Sequence, residues 1–414
     1  MAMRRNAPPA RAEKRGEALK IGIYGGTFNP IHLGHMTAAG FAVEYLHLDK
    51  LYLIPTGQPP HKALTETGAG AHHRLEMASL AAEALPGEAE ALDLELRRMG
   101  KSYTLDTIQA MKKRFPKDRL YFLMGTDMFL TFHRWKDPEK IAKLCTLCAF
   151  GRSEADTEEL FVQQRDYLSR ALGADIVTLA LPHIVDISST RLRECLAKGE
   201  GREYLDPAVY GYILREGLYG TCADLRRLSL EDLRCAAISM LRRRRAPHVL
   251  GTEEEAARLA LRWGADEQSA RRAALLHDCT KKCGREQHLA ICRQYGIRLD
   301  GEEQREEKLL HALTGAAVAE HVFGLTAEEV SAVRWHTTGR ADMTTLEKIL
   351  YLADYIEPTR DFCDLREIRA LAYEDLDRAV LLGLEMSIRE LEARGAKVHA
   401  DSVYARDYLK GKLT

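Results

Sequence analysis

The sequence lacks a marked excess of one charge and any long apolar run. Its 414 residues carry 60 Lys and Arg against 61 Asp and Glu, so the formal net charge is -1. A protein devoted to DNA or RNA normally carries a basic excess, so this balance argues against a nucleic-acid polymer as partner. No stretch approaches the roughly 20 apolar residues of a membrane-spanning helix, and we expect no membrane partner.

The sequence also lacks a disulfide framework. Its nine cysteines are scattered and odd in number in a long chain, which favours a reducing cytoplasm. Cys145 and Cys148 have redox-like spacing, but their apolar segment predicts a buried strand. Residues 1–18 are basic and lack the apolar run of a secretory signal, so they predict a disordered tail.

The order of apolar patterns predicts two different domains. The first half alternates strand-like runs with amphipathic helical patterns, which indicates an α/β, Rossmann-like fold with a parallel sheet. Beyond Gly217 the strand signal almost disappears, and the pattern predicts an all-α domain. The predicted strands are 21–24, 51–54, 91–96, 120–124, 147–150 and 176–181. The predicted domains are 19–219 and 229–414, joined by a linker at 220–228.

The first strand leads into a segment suited to phosphate. Residues 25–35 are Gly-Gly-Thr-Phe-Asn-Pro-Ile-His-Leu-Gly-His. Two glycines let the backbone approach a ligand closely, and a helix starting near His32 would point its N–H groups at the same crevice. His32 and His35 are three residues apart, so both imidazoles would lie on one helix face. The segment has neither the Gly-x-Gly-x-x-Gly fingerprint nor a P-loop.

This segment resembles the His-x-Gly-His signature of the nucleotidyltransferase superfamily and, more narrowly, the nicotinate-mononucleotide adenylyltransferases of NAD biosynthesis. Segments 55–62, 101–104 and 187–193 agree with that family. The resemblance covers about 19–219. It implies adenylyl transfer from ATP to nicotinate mononucleotide with release of pyrophosphate. Mg²⁺ would arrive with ATP rather than in a protein cage.

The same resemblance implies roles for individual residues. His32 and His35 would be catalytic, with His35 stabilising the pentacovalent α-phosphate. The residues implied to bind ATP and its phosphates are Gly25, Gly26, Thr27, Phe28, Ser189, Thr190 and Arg193. The candidates on the mononucleotide side are Lys62, Tyr103, Thr104, Asp127 and Trp135. From the residues alone, Thr104 could also be a helix N-cap while it binds substrate, Asp127 could equally cap the next helix, and Trp135 could pack in the core.

The helical half contains acidic and imidazole side chains within apolar helical patterns: His248, His277, Asp278, His311, His336 and Asp354. Buried charges are costly unless they are paired or bound to metal, so this set predicts a metal and phosphate site. The ordered series resembles the HD phosphohydrolase superfamily, named for its adjacent His-Asp pair. Segments 245–251 and 351–358 resemble its bacterial symmetrical bis(5′-nucleosyl)-tetraphosphatases.

This second resemblance implies symmetrical hydrolysis of diadenosine tetraphosphate to two ADP. The implied metal ligands are His248, His277, Asp278 and Asp354, whose N and O donors suit iron, manganese or zinc. His311 and His336 would be catalytic. The residues implied to bind the dinucleoside polyphosphate are Arg245, His311, His336, Thr337 and Arg360.

Two alternatives stay open at this stage. The helical half could be a non-catalytic nucleotide-sensing module that regulates the first half, although its complete ligand set weakens that hypothesis. The first half could transfer a nucleotidyl group to another phosphate acceptor, as in cytidylyl or phosphopantetheine adenylyl transfer. Asn29, Gln58 and the segment 187–193 argue against that. The sequence leaves open the metal, the preference between acid and amide mononucleotide, any homo-oligomer and any coupling between the sites.

Overall fold

The computed structural model describes residues 18–58, 68–151, 156–301, 303–304, 306–361 and 365–414. The predicted tail therefore lies almost wholly outside the described residues. Backbone contacts divide the chain into two compact units, the first ending at Ser189 and the second beginning at Thr190. Within the described residues, no helix is long and apolar enough to cross a membrane.

The first unit is a six-stranded parallel sheet with helices between its strands, as the sequence predicts. The strands are β1 (Lys20–Gly26), β2 (Lys50–Pro55), β3 (Ala89–Ala91), β4 (Arg119–Gly125), β5 (Thr146–Phe150) and β6 (Ile176–Leu179). Their order across the sheet is β3-β2-β1-β4-β5-β6, and every neighbouring pair is parallel. The helices are α1 (Leu33–Leu46), α2 (Ala71–Ala84), α3 (Thr104–Arg114), α4 (Thr126–Thr131), α5 (Pro138–Ala142) and α6 (Glu158–Leu172).

This topology places the predicted ligand segments at one edge of the sheet. Successive strands are added to one side of β1 up to β3 and to its other side from β4 onward, so β1 pairs with both β2 and β4. The carboxyl ends of β1, β2 and β4 therefore open into one crevice, which is where parallel α/β sheets bind ligands. The central strands are buried because apolar residues cover both of their faces. Cys145 and Cys148 are buried in this core, as their apolar segment predicts.

One strand differs from the prediction. The sequence predicts a strand at 91–96, whereas β3 is Ala89–Ala91. Leu92 still donates its N–H to Leu53 O at 2.9 Å, and Leu92 and Leu94 still pack against the core. The chain then turns away from the sheet. Apolar residues in a turn that covers a core give the same pattern as a short strand, which explains the error.

The second unit is helical throughout its described residues and confirms the predicted change of fold class. Its helices begin with α7 (Ser189–Leu196), which starts at the unit boundary, followed by α8 (Pro207–Arg215), α9 (Leu230–Ser239), α10 (Ala246–Trp263), α11 (Glu267–Leu276) and α12 (Arg285–Tyr295). They continue with α13 (Glu307–His321), α14 (Ala327–Trp335), α15 (Thr345–Ile356), α16 (Arg366–Glu374), α17 (Leu376–Ala393) and α18 (Ala400–Leu413). Buried Ala, Leu, Ile and Val side chains of α9, α10, α11, α14, α15 and α17 form one apolar core.

Helices α8 and α9 pack closely within the second unit. A Cβ added to Gly211 of α8 would lie 1.9 Å from Cys235 O of α9, so only glycine permits this approach. Asp206, the N-cap of α8, pairs with Arg243 at 3.0 Å. The backbone contacts therefore place α8 with the helical unit, ahead of the predicted linker at 220–228. The domain bounds 19–219 and 229–414 remain predictions.

Candidate active sites

The loop after β1 is shaped by its glycines. Phe28 has a φ of 48°, which turns its ring back over the strand end. A Cβ on Gly26 would lie 2.8 Å from Phe28 Cε1, so a larger residue at this position would displace the ring. Gly25, Gly26 and Thr27 stay partly exposed at the carboxyl end of β1. Both features suit a loop that a ligand approaches closely.

His32 and His35 lie together at the start of α1, with ring centroids 3.8 Å apart. The helix begins at Leu33, so His32 is its N-cap residue and His35 lies in its first turn. The backbone N–H of His32 donates to Nδ1 of His35 at 3.3 Å. Because Nδ1 accepts that bond, a neutral His35 carries its ring proton on Nε2. The imidazole is then oriented as a hydrogen-bond donor, as the predicted phosphate role requires.

The predicted phosphate residues near the end of this unit begin a second helix. Ser189 Oγ donates to Pro30 O at 3.1 Å, which ties the start of α7 to the loop after β1. Arg193 Nη2 donates to Thr190 Oγ1 at 3.4 Å, one helical turn away. Ser189 and Pro30 are both in the first unit, whereas Thr190 and Arg193 are grouped with the second. The joint action of Thr190 and Arg193 with the histidine pair remains a prediction.

A cavity of about 510 Å³ lies at the carboxyl ends of the central strands. Its wall includes the loop after β1, through Gly25, Gly26 and Thr27, and four of the five residues predicted on the mononucleotide side. Those four are Tyr103, Thr104, Asp127 and Trp135. The fifth, Lys62, lies outside the described residues. A volume of this size suits a small ligand.

The structure decides between the alternatives left open for these side chains. Tyr103 is the N-cap of α3 and Thr104 its first residue, so the predicted cap at Thr104 is wrong by one position. The N-cap of α4 is Gly125, so Asp127 is not a cap and lies in the first turn facing the cavity. Trp135 lines the cavity and also packs against Phe132, with ring centroids 5.3 Å apart. Trp135 therefore packs against the core, and its contact with a pyridine ring remains a prediction.

Two buried charged residues beside this cavity escape the sequence analysis. Arg74 is 1% exposed and Glu95 is 6% exposed. Burial is the largest influence on Glu95 and raises the pKa of its carboxyl group. A signal for Arg74 does exist, because it shares the core-facing side of α2 with Met77, Ala78 and Ala81 at helical spacing. An arginine among apolar residues on that face is unusual unless its guanidinium has partners.

In the helical unit, three histidines point their Nε2 atoms at two carboxylates. His277 Nδ1 lies 2.6 Å from Ala274 O, and His336 Nδ1 lies 2.7 Å from Val333 O. A carbonyl oxygen can only accept, so each Nδ1 carries a proton and a neutral ring keeps a lone pair on Nε2. His248 Nδ1 lies 3.0 Å from the carboxylate of Glu357, which orients that ring in the same way. Histidines that bind metal ions are normally held like this.

The donor atoms are close enough to share an ion. Nε2 of His248 lies 3.0 Å from Asp354 Oδ1, and Nε2 of His277 lies 3.5 Å from Asp278 Oδ2. His248, His277 and Asp354 offer ligand atoms within 4.8 Å of one another, and so do His277, Asp278 and His336. His277 Nε2 and Asp278 Oδ1 are buried without a hydrogen-bond partner. A divalent cation fits this set, because it would satisfy lone pairs that otherwise face one another.

The charges of this site favour a cation. Burial is the largest influence on Asp278 and Asp354, yet the pKa of each carboxyl group lies well below 3.8. His277 and Lys281 outweigh burial at Asp278, and His248, His277 and Arg360 do so at Asp354. Burial, followed by the charge of His277, lowers the pKa of His336 to about 4, so this ring is neutral near pH 7.

The predicted phosphate-binding residues surround the same carboxylates. Arg245 pairs with Asp278, and Arg360 Nη2 lies 2.6 Å from Asp354 Oδ1. His311 Nε2 lies 3.2 Å from His336 Nε2, and Thr337 Oγ1 lies 3.2 Å from the same His336 atom. All the residues predicted from the HD resemblance therefore meet in one place.

Two further members of this site were not predicted. Lys281 Nζ lies 2.8 Å from His311 Nε2 and 3.6 Å from Asp278 Oδ1. Glu357, 0% exposed, orients His248. Lys281 lies three residues beyond the predicted ligand Asp278, and Glu357 lies three residues beyond the predicted ligand Asp354. That spacing places side chains on one face of a helical turn, and it is the signal that could have found them.

Each unit matches a known protein family. Residues 23–195 match the cytidylyltransferase-like family model, and residues 245–359 match the HD domain model. A Dehalococcoides mccartyi protein, named a probable nicotinate-nucleotide adenylyltransferase, is 40% identical over 207 residues. That match covers 49% of this chain and 98% of the relative. The chain belongs to the nicotinate-nucleotide adenylyltransferase family. In this member the adenylyltransferase unit is followed by an HD domain.

A relative with both units also exists. A Mycoplasma pneumoniae protein is 29% identical over 378 residues, covering 89% of this adenylyltransferase-family chain and 99% of its own. It is named a probable nicotinate-nucleotide adenylyltransferase/Ap4A hydrolase. A Clostridium acetobutylicum crystal structure, described as a predicted HD superfamily hydrolase involved in NAD metabolism, is 38% identical. It covers 45% of this chain and 98% of its own, with a TM-score of 0.43. Both resemblances found in the sequence are confirmed.

Proposed function

We propose that this chain is a bifunctional enzyme. Its first unit makes nicotinic acid adenine dinucleotide and pyrophosphate from ATP and nicotinate mononucleotide. Its HD domain hydrolyses diadenosine tetraphosphate symmetrically to two ADP. One observation supports the second activity most directly. Three imidazole Nε2 atoms converge in the HD domain on the buried Asp278 and the half-buried Asp354, with Arg245, Lys281 and Arg360 around them.

In the first reaction a phosphate oxygen of nicotinate mononucleotide attacks the α-phosphorus of ATP. The new P–O bond forms as the bond to the β-phosphate oxygen breaks, and pyrophosphate leaves with that electron pair. The Nε2–H of His35 donates to the α-phosphate oxygens as their negative charge grows. The ring of His32 lies against the ring of His35 and holds it in place. The pyridine mononucleotide occupies the cavity walled by Tyr103, Asp127 and Trp135. Mg²⁺ accompanies the ATP phosphates.

In the second reaction the HD domain requires a divalent metal ion, for which iron, manganese and zinc are all suitable. When bound, this ion acidifies water and polarises a phosphoryl oxygen. His248, His277, Asp278 and Asp354 would hold it. Arg245 and Arg360 orient the two carboxylates and, with Lys281, offset the charge of the bridging phosphates. Beside Thr337, His311 would contact the phosphate chain, and the neutral His336 would offer its Nε2 lone pair to the donors of these two neighbours.

Both reactions fit the cytoplasm, because all eight described cysteines are free thiols and the substrates are soluble nucleotides.

Product analysis of the full chain tests the proposal. With ATP, Mg²⁺ and nicotinate mononucleotide, we expect nicotinic acid adenine dinucleotide and pyrophosphate in equal amounts. With diadenosine tetraphosphate and a divalent metal, we expect ADP as the only nucleotide product. AMP with ATP would show attack one phosphate away and would contradict symmetrical cleavage. Binding without turnover would instead support a sensing module.

Substrate choice provides a second test. The acid mononucleotide carries a ring carboxylate, and a pocket built with donors for that group leaves them unpaired when the amide binds. We therefore expect a higher kcat/KM for nicotinate mononucleotide than for nicotinamide mononucleotide. Equal values, or preference for the amide, would contradict this assignment.

A further inference from the structure

Arg74 joins the two loops that line the adenylyltransferase cavity. Its Nη1 donates to Thr27 O at 2.9 Å and to Thr56 O at 2.7 Å. Thr27 follows β1 and belongs to the predicted ATP loop, whereas Thr56 follows β2 and opens the predicted mononucleotide segment. Both threonines line the cavity. One guanidinium, buried at the N-terminal part of α2, therefore fixes the distance between the two loops.

Glu95 forms a second buried connection on one side of the same cavity. Its carboxylate accepts the backbone N–H of Gly57 and, at 2.7 Å, the hydroxyl of Thr107 on α3. Arg98 Nη1 also donates to Thr107 Oγ1, at 2.8 Å. A Cβ on Gly57 would lie 2.5 Å from Glu95 O, so the loop after β2 presses directly on this segment. Glu95 thus ties that loop to the helix that carries Tyr103 and Thr104.

We propose that Arg74 and Glu95 are positioning residues that hold the substrate cavity in its binding-competent shape, Arg74 for both substrates and Glu95 for the mononucleotide alone. This inference rests on the adenylyl transfer proposed above. Arg74 contacts backbone from both loops, whereas the hydrogen bonds of Glu95 in the described part of the chain go to the loop after β2 and to α3. Neither residue needs to touch the reacting atoms.

The proposal distinguishes positioning from general stabilisation. A variant that merely unfolds more easily contains fewer active molecules, so its apparent kcat falls while the KM of each remaining molecule is unchanged. A displaced loop instead weakens binding in every molecule and raises KM. Preformed sites gain affinity because loops are ordered before the ligand arrives, so releasing a loop costs binding free energy.

The test measures KM for ATP and for nicotinate mononucleotide separately in Arg74→Met, Arg74→Lys and Glu95→Gln. Bonds from a charged donor support an expected rise of about 10-fold or more in both KM values for Arg74→Met. Arg74→Lys keeps the charge but loses the planar fork, and we expect intermediate values. For Glu95→Gln we expect a rise of about 3- to 10-fold for the mononucleotide, with the KM for ATP within about twofold of wild type.

Arg97→Met is the matched control, because Arg97 is in the same segment but its side chain is 79% exposed and pairs with Asp93. Unchanged KM values in Arg74→Lys and Glu95→Gln, with only kcat reduced, would overturn the inference. Equal rises for both substrates in Glu95→Gln would overturn the division of roles. If Arg74→Met does not fold, the other two variants still decide. A wild-type enzyme without adenylyl transfer would refute the proposed function instead.

Discussion

The two sites of this chain handle charge in opposite ways. The adenylyltransferase site is an open cavity at strand ends, where backbone loops and two adjacent imidazoles face the position of an anionic substrate. The HD site concentrates two buried carboxylates, the half-buried Asp354, several imidazoles and three cationic side chains among packed helices. In the proposed reaction the first site polarises a substrate that brings its own cation. The second site keeps its negative charge inside the protein, where cationic side chains offset it and a divalent ion would complete the compensation.

This difference reflects where each scaffold offers unpaired backbone groups. The carboxyl ends of parallel strands and the start of α1 present N–H groups to phosphate. The HD site lies among packed helices whose interior amides are bonded within the helices. That site is therefore made of side chains, and buried side-chain charges are stable only when compensated.

The largest effect is expected for Asp278→Ala. Loss of this buried carboxylate removes a metal ligand and leaves Arg245 without its partner. Several kcal/mol of transition-state stabilisation depend on the metal, so hydrolysis of diadenosine tetraphosphate should fall by at least about 10³-fold. Metal content should fall with it, and adenylyl transfer should persist. Asp278→Asn tests the same point with less change of volume. Retained metal and hydrolysis in both variants would refute the proposed ligand set.

His35→Ala is the corresponding change in the first unit. Removing one donor to a developing anion costs about 10²–10³ in rate, or roughly 2.7–4 kcal/mol, and adenylyl transfer should fall by that factor. The hydrolase should be unaffected. His47→Ala is the control, because His47 is exposed at the other end of α1. Near-normal turnover by His35→Ala would remove His35 from the mechanism.

A smaller effect is expected for Glu357→Gln. Glu357 orients His248 through Nδ1, and loss of such a partner usually weakens metal binding by about 10- to 100-fold. Competition with a chelator would measure this change in affinity. The control is Glu254→Gln on the surface of α10, whose carboxylate pairs with exposed Arg258. An unchanged metal affinity in Glu357→Gln would show that the orientation of His248 does not depend on Glu357.

The smallest expected effect concerns the packing of α8 on α9. Gly211→Ala places a methyl group where Cys235 O lies, so we expect a loss of about 1–3 kcal/mol in the free energy of unfolding of the helical unit. In Gly411→Ala nothing lies within 4 Å of the added Cβ, and this helical control should be stabilised by about 0.5–1 kcal/mol. Denaturant unfolding measures both. A neutral Gly211→Ala would show that α8 moves freely relative to α9.

The order of strands and helices could be predicted because β2, β4 and β5 are continuous apolar runs and helices such as α6, α10 and α17 have a 3.6-residue period. Helix α6 begins and ends at the same residues as its amphipathic pattern. Helix α10 starts earlier than predicted, because the amphipathic pattern predicts a helix at 253–263 whereas the helix begins at Ala246. Pro247 suggests a break there, yet proline is well suited to the first turn of a helix. His248 therefore lies on α10 itself.

The site residues found by resemblance have chemically distinctive side chains. The missed residues act through partners that are distant in sequence. Arg74 bonds to carbonyls at Thr27 and Thr56, and Glu357 bonds to His248, 109 residues away. Every residue has a backbone carbonyl, so the sequence does not mark which residue is such a partner. A contact between residues so far apart in sequence exists only in the folded chain. Local spacing could not have revealed either connection.

Removal of metal from the intact protein tests the central contrast most directly. The protein is treated with a strong chelator, the chelator is removed, and both reactions are assayed on the same sample. With ATP and Mg²⁺ supplied, adenylyl transfer should be fully retained. Without an added transition metal, hydrolysis of diadenosine tetraphosphate should be absent, and iron, manganese or zinc should restore it. Loss of both activities, or full retention of both, would contradict the account.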